Sequence, residues 1–316
     1  MNTISVLMAV YNPNPEWLRE QLLSLERQTR RPDRLYVRDD ASPAFAFERL
    51  RALVAECVPS VPAQVERNAE NRGSNATFAL LTETAEGDCF AYCDQDDAWE
   101  PQKLEKLEKA LLESGAQLAC CDLSVMDGSG RQTADSVRQV KPHIVYRSGE
   151  GLAPVFLTTN FVTGCACLVR ADAARAALPF PAYTVHDQWI ALTAARRGGI
   201  VSLPEPLVRY RIHGENQTPT LRGVQSKADY ARVRIGRDRR RVDEYHERVD
   251  LGEPQRRLER WMNAREGLAR HEKGAWRALF ALRGVDPKIS WFELAMPLLP
   301  EGLFRRLVRA VQHGKL

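Results

Sequence analysis

The stretch Phe90–Trp99, FAYCDQDDAW, ends an apolar run in three aspartates, Asp94, Asp96 and Asp97. Carboxylates this close repel one another, so something must offset their charge. A hard divalent cation would do so, because Mg2+ or Mn2+ takes oxygen ligands and is commonly held by one or two carboxylates plus substrate phosphates. Asp94 and Asp96, two residues apart after a strand, can point to one region. The blander alternative is that Asp97 caps the helix opening near Pro101 and that the other two are solvated.

Other residues could take part in the same chemistry. Asp39 and Asp40 close the segment RLYVRDD, where a carboxylate could accept a hydrogen bond from a pyrimidine N–H or a ribose hydroxyl, or simply form a turn with Ser42. Arg72, in the turn ENRGS, could neutralise a phosphate or lie on the surface. His186 and Asp187 stand before an apolar helical stretch. Asp187 there is either a helix cap or a general base whose pKa burial would raise. Trp189 reads more readily as core than as a ligand stack. In RYRIHGENQ, the alternation of Arg209, Arg211 and His213 puts them on one strand face with Asn216 beyond, either an anion or metal shell or an exposed edge.

These residues need a scaffold that brings them together. Ile4–Val10 is a continuous apolar run bounded by YNPNP, as expected of a buried parallel strand. Helical spacing follows at Trp17, Leu18, Leu22 and Leu25, and strand-like and helical segments then alternate as far as KLEKLEKALLES. That alternation predicts a parallel sheet flanked by helices, in which ligands bind at the carboxyl ends of the strands. Tyr11 and Asn12, Asp39 and Asp40, Asn71 to Gly73, and Asp94 to Asp97 all fall at such ends. After Ser124 the pattern is less regular: VMDGSGRQ reads as a turn between strands, NFVTGCACLVR as an apolar strand opening at Gly164, and PLVRYRIHGENQ as a further strand. From about residue 220 the chain is arginine-rich and helical. Neither GxGxxG nor GxxxxGK[ST] occurs, which excludes the two commonest phosphate cradles.

The bulk composition is that of a soluble protein: 316 residues, 44% hydrophobic, 27% charged, formal net charge +4. Seven cysteines, with no paired CxxC elements, read as small buried hydrophobes in a reducing compartment rather than a zinc site. The N-terminus lacks the basic and apolar regions of a signal peptide, and no stretch approaches the roughly 20 apolar residues of a spanning helix. The expected location is therefore cytoplasmic, extending to the inner face of the plasma membrane. The density of arginine in Arg232–Arg241 points either to an anionic partner or to a solvated helical face.

Taken in order, VLMAVYN, RDDAS, ENRGSNATF, YCDQDDAWEPQKL, NFVTGCACLVR, HDQWIAL and RYRIHGENQ resemble the inverting glycosyltransferases of family 2, over roughly residues 3 to 217. The last three also resemble bacterial rhamnosyltransferases of O-antigen and cell-wall polysaccharide assembly. The resemblance implies a GT-A fold, Rossmann-like with a mostly parallel sheet flanked by helices. It would form a catalytic domain over 1–217, followed by a helical C-terminal extension over 218–316. It also implies roles. Ala9, Tyr11, Asp39, Arg72 and Asp94 would bind the nucleotide-sugar; Asp96 and His213 would hold Mg2+ or Mn2+; Asp187 would be the catalytic base. Gly164, His186, Trp189 and Arg211 would surround acceptor and diphosphate. His186 departs from the acidic residue that usually precedes the base. The implied donor is dTDP-L-rhamnose, with a UDP-hexose the alternative, and the implied acceptor a glycan or lipid-linked glycan hydroxyl.

In the C-terminal region, Leu303, Phe304, Leu307, Val308 and Val311 share a helical face opposite Arg305, Arg306 and Arg309, after the apolar SWFELAMPLLP. This is the pattern of an interfacial helix at an anionic membrane surface, or equally of helices packed on the catalytic domain or in a homodimer. Two rivals from other classes make distinct predictions. A nucleic-acid-binding protein would use the arginine-rich segment and bind with steep salt dependence, but RNA-motif aromatics are absent, so no nucleic-acid partner is expected. A nucleotidyltransferase would carry a glycine- and lysine-rich loop where this chain has YNPNP.

Overall fold

The computed structural model describes residues 2–213, 221 and 223–312. It divides into two compact units, Met1–Gly214 and Glu215–Leu316. The boundary expected at 217/218 lies outside the described residues, as does Asn216.

The first unit is built on one nine-stranded sheet: β1 (Ile4–Val10), β2 (Arg34–Asp39), β3 (Ala63–Arg67), β4 (Cys89–Cys93), β5 (Ala98–Trp99), β6 (Leu118–Met126), β7 (Gln132–Ala134), β8 (Cys167–Arg170) and β9 (Ile200–Arg211). The spatial order is β3-β2-β1-β4-β8-β6-β9-β5, with β7 beside β6. The strands β3, β2, β1 and β4 are parallel, as the βα alternation requires, and so is the pair β6 and β9. Strand β8 runs antiparallel between β4 and β6. It is shorter than the apolar run NFVTGCACLVR, because Gly164–Ala166 form a 3-10 turn before it. VMDGSGRQ is the expected turn, joining β6 to β7. Strand β9 is not an edge: β6 pairs along one side of it and β5 along part of the other. Its Pro204 and Pro206 lack the N–H a ladder needs, and the β6–β9 register slips opposite them.

Helices α1 (Pro15–Glu26), α2 (Phe47–Cys57), α3 (Ser74–Thr84) and α4 (Lys103–Ser114) connect the early strands. Helix α1 starts where Asn14 accepts from the N–H groups of Glu16 and Trp17, with Pro15 at the first turn, and it buries Leu18, Leu22 and Leu25 completely. Burying each such side chain stabilises by roughly 1.5–3 kcal/mol relative to exposure. Helix α3 is preceded by Gly73, not capped by Ser74 or Asn75; Gly73 has φ +80°, a conformation L side chains rarely adopt. Two short helices, α5 (Val137–Val140) and α6 (Ala171–Ala176), precede α7 (His186–Arg197). All seven cysteines are unpaired and buried, consistent with their reading as apolar filler.

The second unit is helical: α8 (Lys227–Asp229) runs through a π-helical turn (Tyr230–Ile235) into α9 (Gly236–Arg248), followed by α10 (Glu253–Ala269), α11 (Ala275–Ala281), α12 (Pro287–Ala295) and α13 (Glu301–Gln312). Trp261, Met262, Tyr245, Leu279 and Phe304 form its interior. A buried ionic network crosses it. Arg265 pairs with Asp238 at 2.9 Å and with Glu293 at 2.7 Å, and Glu293 also accepts from the Tyr230 hydroxyl at 3.0 Å. The apolar face expected to lie on a membrane is partly turned inward, since Phe304 and Val308 of α13 are buried and Phe304 meets Tyr230 and Phe292.

Candidate active site

Parallel pairing brings three strand ends to one edge. Val10 lies opposite Asp39, and Met8 opposite Cys93, so the residues after β1, β2 and β4 emerge together. Two side-chain bridges knit them. The Gln95 amide accepts from the Tyr11 N–H (2.8 Å) and donates to the Tyr11 carbonyl (3.0 Å), fastening the aspartate loop to the end of β1. Ser42 accepts from the Asn12 N–H (2.8 Å) while donating its hydroxyl to Asp39 (2.5 Å). Asn12 and Ala41 both adopt positive φ, at 43° and 56°, so this edge carries local backbone strain.

Asp39 takes the turn with Ser42 and pairs with Arg67 Nε at 3.2 Å. Asp40 has a structural task that its sequence position did not disclose: its carboxylate accepts from the N–H groups of Arg72 and Gly73, each at 2.8 Å, and from the Asn68 amide. Arg72 is thereby tied by its backbone, with its residue exposed. Ala9 is half-buried near the end of β1, and Tyr11 is exposed beside Gln95.

The three aspartates have different surroundings. Asp96 is half-buried and its Oδ2 lies 2.9 Å from His213 Nε2. Asp97 is wholly buried, accepts from the Arg211 N–H (2.9 Å), and leaves its other oxygen without a hydrogen-bond partner. It does not cap α4, whose N-cap is Gln102; Pro101 precedes that helix. Oxygens of Asp94 and Asp97 and the Cys165 thiol lie within 4.8 Å of one another. Burial, then the Asp96 and Asp187 charges, pushes the Asp94 carboxyl up; burial and its two aspartate neighbours push Asp97 well up. Both directions mark a place short of positive charge. A cation close by is Lys103, fully buried, donating to the Cys165 carbonyl (2.6 Å) with its ammonium 2.9 Å from the centre of the Trp99 ring. Burial lowers its pKa, and its charge opposes the upward shifts of Asp94 and Cys165.

Asp187 stands in the first turn of α7, where Val185 and not Asp187 is the N-cap residue. Its carboxylate accepts from the Asn160 amide (3.0 Å), the Gly164 N–H (3.2 Å) and the Gln188 N–H (2.6 Å). Burial nevertheless raises its pKa to about 6. Gly164 is required by close approach: a Cβ there would come within 3.0 Å of His186 Nε2. Asn75 of α3 accepts from the His186 N–H and donates to the carbonyls of Pro181 and Thr184, setting where α7 begins.

Three residues expected around acceptor and diphosphate have their side chains engaged by protein neighbours. The His186 ring packs against Phe78 (4.4 Å), Tyr92 (5.6 Å) and Phe180 (6.2 Å), and burial lowers its pKa to about 4, so it is a neutral packing group at pH 7. Trp189 is buried and donates to the Ala177 carbonyl. Arg211 is buried as well: Nε donates to the Asp96 carbonyl (2.8 Å), one terminal nitrogen to the Asp127 carbonyl (3.2 Å) and the other to Glu20 (2.5 Å), with the Trp17 ring 5.1 Å away. Arg209 also pairs with Glu20. Arg211 braces the aspartate loop, while Arg209 reaches Glu20 and the Gly130 carbonyl. Gln95, Lys103, Asn160, Glu20 and Trp17 were not expected at the site. Only Lys103 had a usable signal, a lysine inside an otherwise apolar helical face at Leu104, Leu107 and Leu111.

The residues fit a hard divalent cation in one respect and not in another. Clustered carboxylates with an orphaned buried oxygen suit Mg2+ or Mn2+, whereas the Cys165 thiol suits neither. The carboxylates that meet there are Asp94 and Asp97, with the Asp96–His213 pair on the same loop.

The mixed α/β sheet flanked by helices is the GT-A fold of the glycosyltransferases it resembles. The chain belongs to glycosyl transferase family 2, whose sequence model matches residues 5–177. It is 26% identical over 234 residues to an uncharacterized glycosyltransferase of Nostoc sp., covering 72% of this chain and 70% of that one. It is 32% identical to the uncharacterized glycosyltransferase YwdF of Bacillus subtilis over 108 residues, 34% of this chain and 38% of YwdF. Among solved structures, S. aureus TarS residues 1–349 with UDP-GlcNAc aligns with 99% of this chain and 88% of that one, at TM-score 0.59 and 16% identity. Against another TarS structure the chain spans 53% of its length. The mannosyltransferase PcManGT of Pyrobaculum calidifontis, with GDP-Man and Mn2+, aligns with 99% of this chain and 86% of its own, at TM-score 0.56 and 16% identity. No described helix is long and apolar enough to cross a membrane.

Proposed function

We propose that the chain is an inverting, divalent-cation-dependent glycosyltransferase that moves a sugar from a nucleoside diphosphate to the hydroxyl of a bacterial surface glycan or its lipid-linked precursor. The observation that carries this reading is the juxtaposition of two unlike acidic groups. Asp94 and Asp96, with His213, form a cation seat, and Asp187, whose charge reaches Asp94, stands apart on its own hydrogen bonds. A bound Mg2+ or Mn2+ would neutralise charge developing on the leaving diphosphate. Asp187 takes the proton of the acceptor hydroxyl as its oxygen bonds to the anomeric carbon; the bond from that carbon to the diphosphate oxygen breaks and configuration inverts. A pKa of about 6 keeps Asp187 mostly ionised at neutral pH yet basic enough to be useful. Asp39, Ala9 and Tyr11 would face the base, and the backbone of Arg72 and Gly73, held by Asp40, would shape the adjoining wall.

For the donor we propose dTDP-L-rhamnose, supported by the motifs NFVTGCACLVR, HDQWIAL and RYRIHGENQ. A UDP-sugar is the second reading, favoured by the fold likeness to TarS with UDP-GlcNAc. A donor screen with Mg2+ or Mn2+, read as nucleoside diphosphate release and run beside Asp187→Asn and Asp96→Asn, decides. Asp187→Asn should keep donor binding and lose transfer, and Asp96→Asn should lose cation-dependent donor binding. If no nucleotide-sugar binds or turns over with either metal, the reading fails.

A further inference from the structure

We propose that the exposed aromatic platform on α11 and α12 is a docking surface for an anionic lipid bilayer. Trp276, Phe280 and Trp291 are 46%, 36% and 53% exposed, and Leu298, just beyond α12, is 84% exposed. The other four tryptophans of the chain are buried or half-buried, so the two exposed ones stand together. The platform is ordered by its own contacts. Trp276 and Phe280 lie nearly parallel with centroids 5.4 Å apart, Trp291 meets Phe280 edge-on at 5.8 Å, and the Trp276 indole donates to the Leu294 carbonyl (3.3 Å). It is not the outer side of an unfilled core, because Leu279 and Leu294 on the inward faces of the same helices are buried.

Charge selects the occupant. The Arg283 guanidinium lies 4.2 Å from the Phe280 ring and 6.0 Å from Trp291, and Arg277 and Lys288 are exposed on the same two helices. Residues 270–312 hold eight basic side chains against four acidic ones. Of those four, Glu293 is buried on Arg265 and Asp286 caps α12, so the outer surface is more basic than the count implies. Indole and phenyl rings beside guanidinium groups match a headgroup layer that is apolar beneath and negatively charged above. Since no described helix can span a bilayer, the contact is a surface one. The structure thus moves the membrane-facing candidate from α13, where Phe304 and Val308 are buried, to the preceding pair of helices. The inference shares only the lipid-linked acceptor with the proposed function and is tested without turnover.

Sedimentation of the full chain with phosphatidylcholine vesicles, with and without phosphatidylglycerol, is the test. Binding should require phosphatidylglycerol and fall as salt rises. The double variant Trp276→Ser/Trp291→Ser should bind about tenfold more weakly or worse, and Arg283→Glu/Lys288→Glu should lose the preference for anionic vesicles. Both variants should remain folded by far-UV circular dichroism with at most a small drop in unfolding midpoint, since Trp276, Trp291 and Lys288 are exposed and Arg283 is half-buried. Equal binding by parent and variants, binding indifferent to lipid charge, or no binding would overturn the proposal. So would a concentration-dependent dimer, seen by light scattering and abolished by the tryptophan substitutions without any vesicle binding, which would assign the platform to a second copy of the chain. Absence of vesicle binding by the parent chain with nucleotide-sugar turnover intact would overturn this proposal alone and leave the transferase reading standing.

Discussion

Two buried acidic clusters, one in each unit, are built in opposite ways. In the helical unit, burial pushes Asp238 up, but the charges of Arg265, Arg234 and Arg241 outweigh it and hold the carboxyl below its usual range. Glu293 in the same network receives three contacts from the one guanidinium. At the sheet edge, Asp94 and Asp97 are pushed up by burial and by their aspartate neighbours, with the Lys103 charge opposing the shift of Asp94 and one Asp97 oxygen left without a hydrogen-bond partner. The first cluster is compensated in charge by its arginines, although one Asp238 oxygen too has no hydrogen-bond partner. The second is short of positive charge, and burial without compensation persists where function requires it.

The largest test of that contrast is at Asp187. Asp187→Asn should lower transfer about 10²–10⁴-fold while leaving the unfolding midpoint close to the parent. In the parent, the rate should fall as pH drops through about 6, because protonation removes the base, and should level off above it. A rate flat from pH 5 to 8 would remove Asp187 from that role. Next is Arg265→Met, which strands two buried carboxylates and should destabilise by about 3–5 kcal/mol in urea unfolding. A change below about 1 kcal/mol would show that the helical network is not closed as described. Lys103→Met should be smaller, weakening Mn2+ binding at pH 7 about tenfold, with recovery at higher pH as the acidic groups ionise. Binding unchanged at pH 7 would mean that Lys103 serves packing alone. Smallest is Asp97→Asn. Burial and its aspartate neighbours already disfavour the charged form of Asp97, and the amide still accepts from the Arg211 N–H, so stability should shift by no more than about 1 kcal/mol. A large loss would show an ionised Asp97 and an incorrect account of the seat.

The legibility of these features in the sequence was uneven for physical reasons. Local patterns carry strands and helices well: Ile4–Val10 and α1 follow from an apolar run and from Asn14-Pro15 ahead of helical spacing. Polar residues at the ends of parallel strands carry the edge of the site, because a parallel sheet must align those ends. Side chains were less readable. Arg211 reads as a ligand for phosphate until β9 places it between Glu20 and Asp96, 191 and 115 residues away along the chain. His186 reads as part of a catalytic pair until Phe78, Tyr92 and Phe180 close around its ring.

What the amino-acid order determined alone is periodicity, the turn residues and the supply of carboxylates at strand ends, since these depend on neighbours within a few residues. It also sufficed for the resemblance to family 2, which the family match over residues 5–177 bears out. Tertiary structure decided the surroundings of each carboxylate, on which the proposed roles of base and cation seat rest. Those roles depend on burial and on charges brought from distant segments: Asn160 and Gly164 at Asp187, His213 at Asp96, Arg211 and Cys165 at Asp97. Three aspartates in four residues are chemically alike until the fold gives each a different set of neighbours.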